Sequence, residues 1–194
     1  TNTAPLGTAF TVPIDHYTNK TGITAQERAA TVLAVIDPKS KPADFARPGH
    51  MFPLQAREGG VLRRAGHTEA AIDLARLAGR FPAGVLCEIL DAEGNRADRV
   101  QLFRLAREHN LEIITIEQLI RHRRMSEKLV YRTAEADLPT KYGTGRIVAY
   151  GVKYETQEPI ALVMGDLAAV EAPLVRMHSS CFTGDLLASL RCDC

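Results

Sequence analysis

Apolar residues recur along the chain at strand or helix spacing, and these patterns predict alternating strands and helices over the first 124 residues. Alternation over residues 8–14 predicts a strand. Residues 24–27, Thr-Ala-Gln-Glu, fit a capping box, so a helix is predicted from there to about Ile36. The other elements predicted in this half are an extended piece at 51–54 within loops over 37–66, helices over 68–78, 98–110 and 117–124, and strands over 84–90 and 113–116.

The pattern changes after Arg124, where short strands separated by Gly- and Pro-containing turns replace the helices. Strands are predicted over 129–133, 147–154, 160–164 and 174–178. We therefore predict an α+β chain of two domains. A mixed α/β domain covers residues 1–124, and the opening antiparallel β portion of a second domain covers residues 125–194.

Composition and charge narrow the class of protein. Of the 194 residues, 45% are hydrophobic and 24% are charged, which is typical of a soluble globular chain. The formal net charge of +1 argues against a nucleic-acid or membrane-surface partner bound mainly by charge. No apolar run approaches the roughly 20 residues of a membrane helix, and no secretory segment is visible. The four cysteines do not make a disulfide scaffold, so a cytoplasmic location is expected.

Residues 64–69, Arg-Ala-Gly-His-Thr-Glu, stand where a loop enters a predicted helix. Backbone N–H groups at a helix N-terminus, a small Gly and a nearby Arg together suit a phosphate group. His67 at this turn is able to bind a metal or transfer a proton. The competing interpretation is a plain helix cap, in which Thr68 satisfies backbone donors and His67 is merely exposed. The spacing alone does not separate the two.

Two more ionisable residues stand out in this half. Glu88 lies inside the predicted buried strand, where a carboxylate is costly unless it is paired or functional, although a strand with one solvated face is the simpler explanation. Cys87 beside it is expected to be a small buried apolar residue. His50 follows residues 47–49, Arg-Pro-Gly, which predict a tight turn, and a lone loop histidine is more often structural than catalytic. The basic run 121–124 is expected to be the solvated end of a helix.

Three of the four cysteines, Cys181, Cys192 and Cys194, fall in the last fourteen residues with the spacing C-x10-C-x-C. Three thiolates suit zinc. In one interpretation His178 closes a structural Cys₃His site, and in another a water takes the fourth position and the zinc is catalytic. A third interpretation is three cysteines packed without a metal. Ligand spacing leaves these alternatives open.

Residues 64–70, Arg-Ala-Gly-His-Thr-Glu-Ala, with the runs 47–54 and 82–88, resemble 3,4-dihydroxy-2-butanone 4-phosphate synthase, and residues 7–12, 21–25 and 113–120 fit the same family. The resemblance covers roughly residues 1–124. It implies the conversion of ribulose 5-phosphate to dihydroxybutanone phosphate and formate, with Mg²⁺ or Mn²⁺, for riboflavin synthesis. It implies catalytic roles for His50 and Glu88, Mg²⁺ ligation by His67, and substrate contacts by Arg64, Ala65, Gly66, His67, Thr68 and Glu88.

One departure from that family concerns its acidic N-terminal loop, which supplies further Mg²⁺ and substrate ligands and is absent upstream of Thr1. His67 alone is too few ligands for a Mg²⁺ site, so this polypeptide by itself is expected to be inactive or nearly so. The family is also dimeric, so the resemblance implies a homodimer in which His50 serves a site near the subunit interface.

Residues 176–194, which begin Arg-Met-His-Ser-Ser-Cys, resemble the zinc motif of GTP cyclohydrolase II, and the likeness extends over about residues 129–194. It implies a catalytic Zn²⁺ whose bound water attacks the purine ring, with release of formate and pyrophosphate. Met177 and Ser180 depart from the commonest family pattern, which has Val and Glu there. The implied zinc ligands are Cys181, Cys192 and Cys194, and the implied GTP contacts are Arg176, Met177, His178, Ser179 and Ser180.

The two resemblances occur in the order of bifunctional riboflavin biosynthesis proteins. The chain is therefore expected to be the central stretch of such a cytoplasmic enzyme, truncated at both ends, with ribulose 5-phosphate and GTP as substrates and no nucleic-acid or membrane partner. One alternative is a synthase whose cyclohydrolase domain is degenerate. The other is a non-catalytic protein, either a structural zinc module or an assembly partner.

Overall fold

A computed structural model describes residues 3–5 and 7–192. Two short 3₁₀ turns, Pro42–Asp44 and Gly60–Leu62, precede the second helix. Among the described residues no helix is long and apolar enough to cross a membrane. The strands and helices in chain order are β1 (Ile14–His16), α1 (Ala25–Ile36), β2 (Phe45–Met51), α2 (His67–Leu77), α3 (Arg99–Glu108), α4 (Ile116–Ser126), β3 (Val130–Thr140), β4 (Gly143–Val152) and β5 (Ile160–Met164).

The helices begin where local sequence signals predict them. The Thr24 hydroxyl accepts a hydrogen bond from the Glu27 N–H at 3.3 Å, and the Glu27 carboxylate accepts from the Thr24 N–H in return, so the predicted capping box is confirmed. Asp98 caps α3 in the same way, again as predicted. Gly79, with φ at +66°, follows the end of α2, which agrees with its predicted role as a helix stop.

Three strands were predicted in the first half, and two of them are wrong. The one over 8–14 is reduced to a bridge between Phe10 and Leu54 and to the start of β1 at Ile14. Residues 84–90 are irregular and exposed, with a bridge between Leu90 and Arg96, and residues 113–115 lead directly into α4. A buried strand needs neighbouring strands that satisfy its backbone and cover its side chains, and within the described part of the chain neither segment has one. Cys87 is accordingly exposed, not buried, and Glu88 is exposed as well.

The strand β2 lies where loops and a tight turn were predicted, and the extended piece begins six residues before 51. It pairs antiparallel with β1, where His16 faces Phe45, Asp15 faces Ala46 and Ile14 faces Met51. Residues 47–50 lie between Ala46 and Met51, whose partners Asp15 and Ile14 are adjacent in β1. These four residues therefore form a bulge. Gly49 lies so close to the backbone of β1 that a Cβ would overlap the carbonyl carbon of Ile14.

A small core joins the turn Gly60–Leu62 to α2 and α4, formed by Val61, Ala70 and Leu119. Beside it Arg123 is buried, not solvated as predicted. Its guanidinium donates to the Gly59 carbonyl at 2.7 Å, to Asp73 at 2.9 Å and to both oxygens of Glu127. These hydrogen bonds, the one to Glu127 foremost, outweigh burial and hold the pKa of Arg123 above its ordinary value. Asp73 also accepts from the Val61 N–H at 2.8 Å.

The second half contains a three-stranded sheet in the order β3-β4-β5, with β4 and β5 antiparallel. The predicted strand at 174–178 is wrong, since these residues have irregular backbone. The chain divides into two compact units. Unit 1 comprises the residues up to Tyr131 together with Gly151–Gln157, and unit 2 comprises Arg132–Tyr150 and the residues from Glu158 onward.

Candidate functional site

The N-terminus of α2 presents backbone donors. Gly66 is the N-cap, in an extended conformation and without a side-chain cap, so the interpretation in which Thr68 caps the helix is wrong. The first helical bond runs from the Ala70 N–H to the Gly66 carbonyl at 3.0 Å. The N–H groups of the first turn therefore have no intrahelical carbonyl to bind. Such a helix end attracts anions, and His67 lies exposed on it.

Glu69, which the sequence analysis did not single out, fixes the arginine beside this helix end. Its side chain is 1% exposed. One carboxylate oxygen accepts from Arg64 Nη1 at 2.7 Å and the other from the Arg57 N–H at 3.1 Å. Burial alone would raise the pKa of Glu69, but these hydrogen bonds outweigh it and hold the pKa below its ordinary value. Arg64 stays 29% exposed and keeps further N–H donors for an anion.

A second carboxylate, Asp15, holds His50. Asp15 Oδ2 lies 2.7 Å from His50 Nδ1, and Oδ1 accepts from the His50 N–H at 3.0 Å. The Asp15 side chain is 12% exposed and that of His50 is 48% exposed. Burial acts to raise the pKa of Asp15, but the hydrogen bonds from His50 hold it below its ordinary value. With Nδ1 bound to a carboxylate, Nε2 is the ring nitrogen that can exchange a proton with a substrate.

The bulge in β2 explains this pairing, because it turns His50 back toward β1. Gly22 closes the other side of the carboxylate. It has φ at +77°, and a Cβ there would overlap the Asp15 side chain. Asp15 was not predicted from the sequence. The available signal was an acidic residue at the end of an apolar alternation, followed seven residues later by a glycine.

These elements surround one apolar cavity of about 580 Å³. Ile14 and Met51, which neighbour Asp15 and His50, line it from the strands, and Thr68 lines it from α2. The exposed segment before Glu88 contributes Val85 and Leu86. Residues from three of the predicted synthase motifs, 47–54, 64–70 and 82–88, therefore lie around a common space. Among the described residues, however, no three His, Cys, Asp or Glu side chains lie close enough to hold a metal ion.

In unit 2 two of the predicted zinc ligands lie together. Cys181 Sγ is 3.3 Å from Cys192 Sγ, much longer than the roughly 2.05 Å of a disulfide. Two sulfurs on one tetrahedral zinc, with Zn–S near 2.3 Å, lie about 3.8 Å apart. The Gly184 N–H points to Cys181 Sγ at 3.3 Å, from the π-helical turn Phe182–Leu186. The two sulfurs therefore lie close together but nearer than two ligands of one zinc ion would, while Cys194 lies outside the described residues.

The His178 ring contacts the carboxylate of Asp185. Its Nε2 lies 2.8 Å from Asp185 Oδ2, and the same oxygen accepts from the Cys181 N–H at 2.8 Å. These two hydrogen bonds, the one from the backbone first, lower the pKa of Asp185. The contact occupies Nε2 and leaves Nδ1 of the ring, so it is compatible with both zinc arrangements. The other residues predicted to contact GTP, Arg176, Met177, Ser179 and Ser180, lie exposed along irregular backbone.

Comparison with known proteins gives two family matches. The family described as 3,4-dihydroxy-2-butanone 4-phosphate synthase matches residues 1–122, and the family described as GTP cyclohydrolase II matches residues 131–194. The chain is 54% identical over 193 residues to riboflavin biosynthesis protein RibBA of Bacillus cereus and 53% identical over 196 residues to the protein of the same name from Aquifex aeolicus. Both alignments take in 100% of this chain but only 49% and 48% of the relative, so the chain spans about half the length of the curated relatives it matches.

Solved structures give the same result. RibBX, described as a two-domain 3,4-dihydroxy-2-butanone 4-phosphate synthase from A. baumannii, superimposes with a TM-score of 0.74 at 42% identity, over 85% of this chain and 49% of that one. A 3,4-dihydroxy-2-butanone 4-phosphate synthase in complex with two magnesium ions gives a TM-score of 0.55 at 37% identity, over 65% of this chain and 64% of that one.

Proposed function

Because the chain belongs to the 3,4-dihydroxy-2-butanone 4-phosphate synthase family, continued by a GTP cyclohydrolase II segment, we propose that unit 1 carries the site converting ribulose 5-phosphate to 3,4-dihydroxy-2-butanone 4-phosphate and formate. The names of its relatives support a role in riboflavin biosynthesis. The observation that carries the proposal is the half-exposed His50 held by the buried carboxylate of Asp15 at 2.7 Å. This is the arrangement of a proton-transfer group with a fixed tautomer.

The phosphate of the substrate would bind at the N-terminus of α2. The backbone N–H groups around His67 and Thr68 supply donors there, and Ala65 and Gly66 allow the backbone to approach. Arg64 adds a charge-assisted donor whose position Glu69 fixes at 2.7 Å. Because the buried, charged Glu69 already holds the Arg64 side chain in place, phosphate binding does not have to order that side chain.

His50 would carry out the proton transfers. Enolisation, the carbon-skeleton shift and loss of formate each require a proton to move beside a carbonyl group. Nε2 of His50 would take the proton, and the ionised Asp15 would stabilise the imidazolium that forms. Glu88 is the second proposed catalytic residue. Its exposed segment leads from the cavity lining at Val85 and Leu86.

A divalent metal, Mg²⁺ or Mn²⁺, is proposed for this site because a related synthase is described with two magnesium ions. Such an ion would stabilise the negative charge of an enediolate. His67 is the proposed ligand from this chain. Mg²⁺ requires six ligands, mostly oxygen, and the described residues bring no set of three candidate ligands together. The described chain alone therefore does not fit a complete Mg²⁺ site, and we expect it to release formate from ribulose 5-phosphate slowly or not at all.

For unit 2 we propose zinc binding by Cys181, Cys192 and Cys194, with GTP contacts from Arg176, Met177, His178, Ser179 and Ser180. The match to GTP cyclohydrolase II supports a catalytic zinc, and the closeness of two of the sulfurs, 3.3 Å apart, supports their binding one ion. Bound zinc supplies an activated water for hydrolysis of the purine ring. Asp185 would fix both the Cys181 backbone and the His178 ring.

We further propose a cytoplasmic homodimer acting on small molecules, with no nucleic-acid or membrane partner. The net charge of +1 gives no electrostatic basis for binding a nucleic acid or an anionic membrane surface. The homodimer rests on the family resemblance.

Ribulose 5-phosphate binding tests the proposal. Calorimetric titration of the chain in the presence of MgCl₂ should give saturable binding that Arg64→Ala weakens by roughly tenfold, the usual loss for one charge-assisted hydrogen bond. Arg80→Ala removes an exposed arginine beyond the other end of α2 and should leave the affinity unchanged. Equal affinity for all three proteins, or equal loss in both variants, would contradict the proposed phosphate site.

A further inference from the structure

The turn Gly151–Gln157 belongs to unit 1, although its residues fall within the match to GTP cyclohydrolase II. Two hydrogen bonds tie it there. Arg63 Nη1 donates to the carbonyl of Tyr154 at 2.8 Å, and the Lys153 N–H donates to the Leu129 carbonyl at 2.9 Å. The ring of Tyr154 lies against Gly59, where an added Cβ would come within 2.8 Å of the ring carbon Cγ.

The residues under Tyr154 belong to the Arg57–Arg64 loop, meaning residues 57–64. α2 and α4 hold this loop from the protein interior. Glu69 accepts from the Arg57 N–H, Asp73 accepts from the Val61 N–H, and Arg123 donates to the Gly59 carbonyl. The loop ends at Arg64, the residue proposed to take the substrate phosphate. Tyr154 is thus a further anchor of this loop, supplied by a much later part of the chain.

The backbone conformations of Tyr154 and Gly59 both indicate that the contact between them is specific. Tyr154 has φ at +66°, an outlier for a bulky residue. Such a conformation persists only when surrounding contacts determine it. On the other side, Gly59 has φ at +91° and no room for a Cβ beneath the ring, so glycine is required there for two separate reasons.

We propose that Tyr154 is a clasp through which the segment related to GTP cyclohydrolase II holds the Arg57–Arg64 loop and thereby positions Arg64 for phosphate binding. Tyr154 is a positioning residue and touches no substrate. The claim about phosphate rests on the proposed function of unit 1, whereas the clasp itself does not. The proposal makes ordering of the synthase site depend on a residue outside the synthase match.

Hydrogen exchange of the 194-residue chain tests the clasp directly. Tyr154→Ala should speed exchange of amides in residues 57–64 by roughly threefold to tenfold, because a packed ring and the geometry of one hydrogen bond are lost. The amides that report the change are those of Gly60 and Arg63, which donate to carbonyls within the loop, and that of Val61, which donates to Asp73 of α2. Exchange in α1 should stay the same. No change at 57–64, or an equal change in α1, would overturn the clasp.

Two control variants separate the ring contact from a general loss of aromatic surface. Tyr154→Phe keeps the ring and the backbone carbonyl and should exchange as the unmodified chain does. Tyr142→Ala removes a tyrosine that is 80% exposed in the turn before β4 and contacts Lys141, and it should also leave residues 57–64 unchanged. Faster exchange at 57–64 in either control would count against the proposal.

Ribulose 5-phosphate titration tests the positioning of Arg64. Tyr154→Ala should weaken binding by roughly threefold to tenfold, and both controls should bind normally. A loosened loop with unchanged affinity would overturn the positioning role. If the unmodified chain bound no ribulose 5-phosphate, the proposed function would fail, and the exchange experiment would still decide the clasp.

Discussion

Asp15 contacts His50 twice, through the ring Nδ1 at 2.7 Å and through the backbone N–H at 3.0 Å, although 35 residues separate them. The double contact fixes both the position of the histidine backbone and the orientation of its ring. A ring held only by its own rotamer would not present Nε2 in a constant direction. The carboxylate would therefore prepare His50 for the proton transfer proposed for it.

Replacing Asp15 separates its structural and tautomeric roles. Asp15→Ala should destabilise the chain by about 1–3 kcal/mol, because it leaves the His50 N–H without its acceptor. Asp15→Asn keeps one acceptor oxygen and should cost less. Both should change the Nδ1-to-Nε2 tautomer ratio of His50, measured by nitrogen-15 NMR. Normal tautomer ratios in both variants would show that Asp15 does not orient the ring.

Gly22→Ala should disturb the same pair from the opposite side. The substitution forces a residue with a Cβ into φ +77° and overlaps the Asp15 carboxylate. Gly94→Ala is the matched control, because Gly94 has φ +84° but no atom within 4 Å of the added Cβ. Urea unfolding should show a loss of about 1–2 kcal/mol for the control and a larger loss for Gly22→Ala. Equal losses would mean that the carboxylate moves aside without cost.

Stability should fall in acid because of the buried carboxylates. The pKa values of Asp15 and Glu69 are lowered from 3.8 and 4.5, so both groups bind protons more readily in the unfolded chain. Their contribution is complete above these ordinary values and is lost as the pH falls through the lower, folded values. The urea concentration at the midpoint of unfolding should therefore decrease as the pH is lowered below about 5. Glu69→Gln should flatten this drop, whereas substitution of the exposed Glu93 by Gln should not.

The local features of this fold could be predicted from sequence, and the long-range ones could not. The helices starting after Thr24 and Asp98 follow from three-residue capping contacts, and the motif at 64–70 identified the family. The segment 84–90 was predicted as a strand because an apolar run does not reveal whether a neighbouring strand will pair with it. Arg123 was expected in solvent, but its partner Asp73 lies 50 residues away.

The Asp15–His50 pair was missed for a related reason. Residues 47–49 were predicted as a turn, and they form part of the bulge in β2. Which residue such a bulge presents to the neighbouring strand depends on the register of β1 and β2. That register is set by pairing over a distance of about 30 residues in sequence, which periodicity within one segment does not contain.

The two zinc arrangements predict different outcomes for one substitution. In the catalytic arrangement His178→Ala should leave zinc bound, because three thiolates and a water complete the shell, whereas Cys181→Ser should release the metal. Zinc content after dialysis, read with a metallochromic indicator, measures both. His109→Ala, at the end of α3 in unit 1, is the control for a general effect of removing a histidine. Loss of zinc from His178→Ala alone among the histidine variants would support a closed Cys₃His site.

His50 and the N-terminus of α2 are proposed to serve one ribulose 5-phosphate site in unit 1. The decisive experiment is nitrogen-15 NMR of the chain during titration with ribulose 5-phosphate and MgCl₂. The amides of residues 64–68 and the ring nitrogens of His50 should shift together, with the same saturation curve. Shifts at only one of these places, or shifts elsewhere that leave both unchanged, would contradict a shared site.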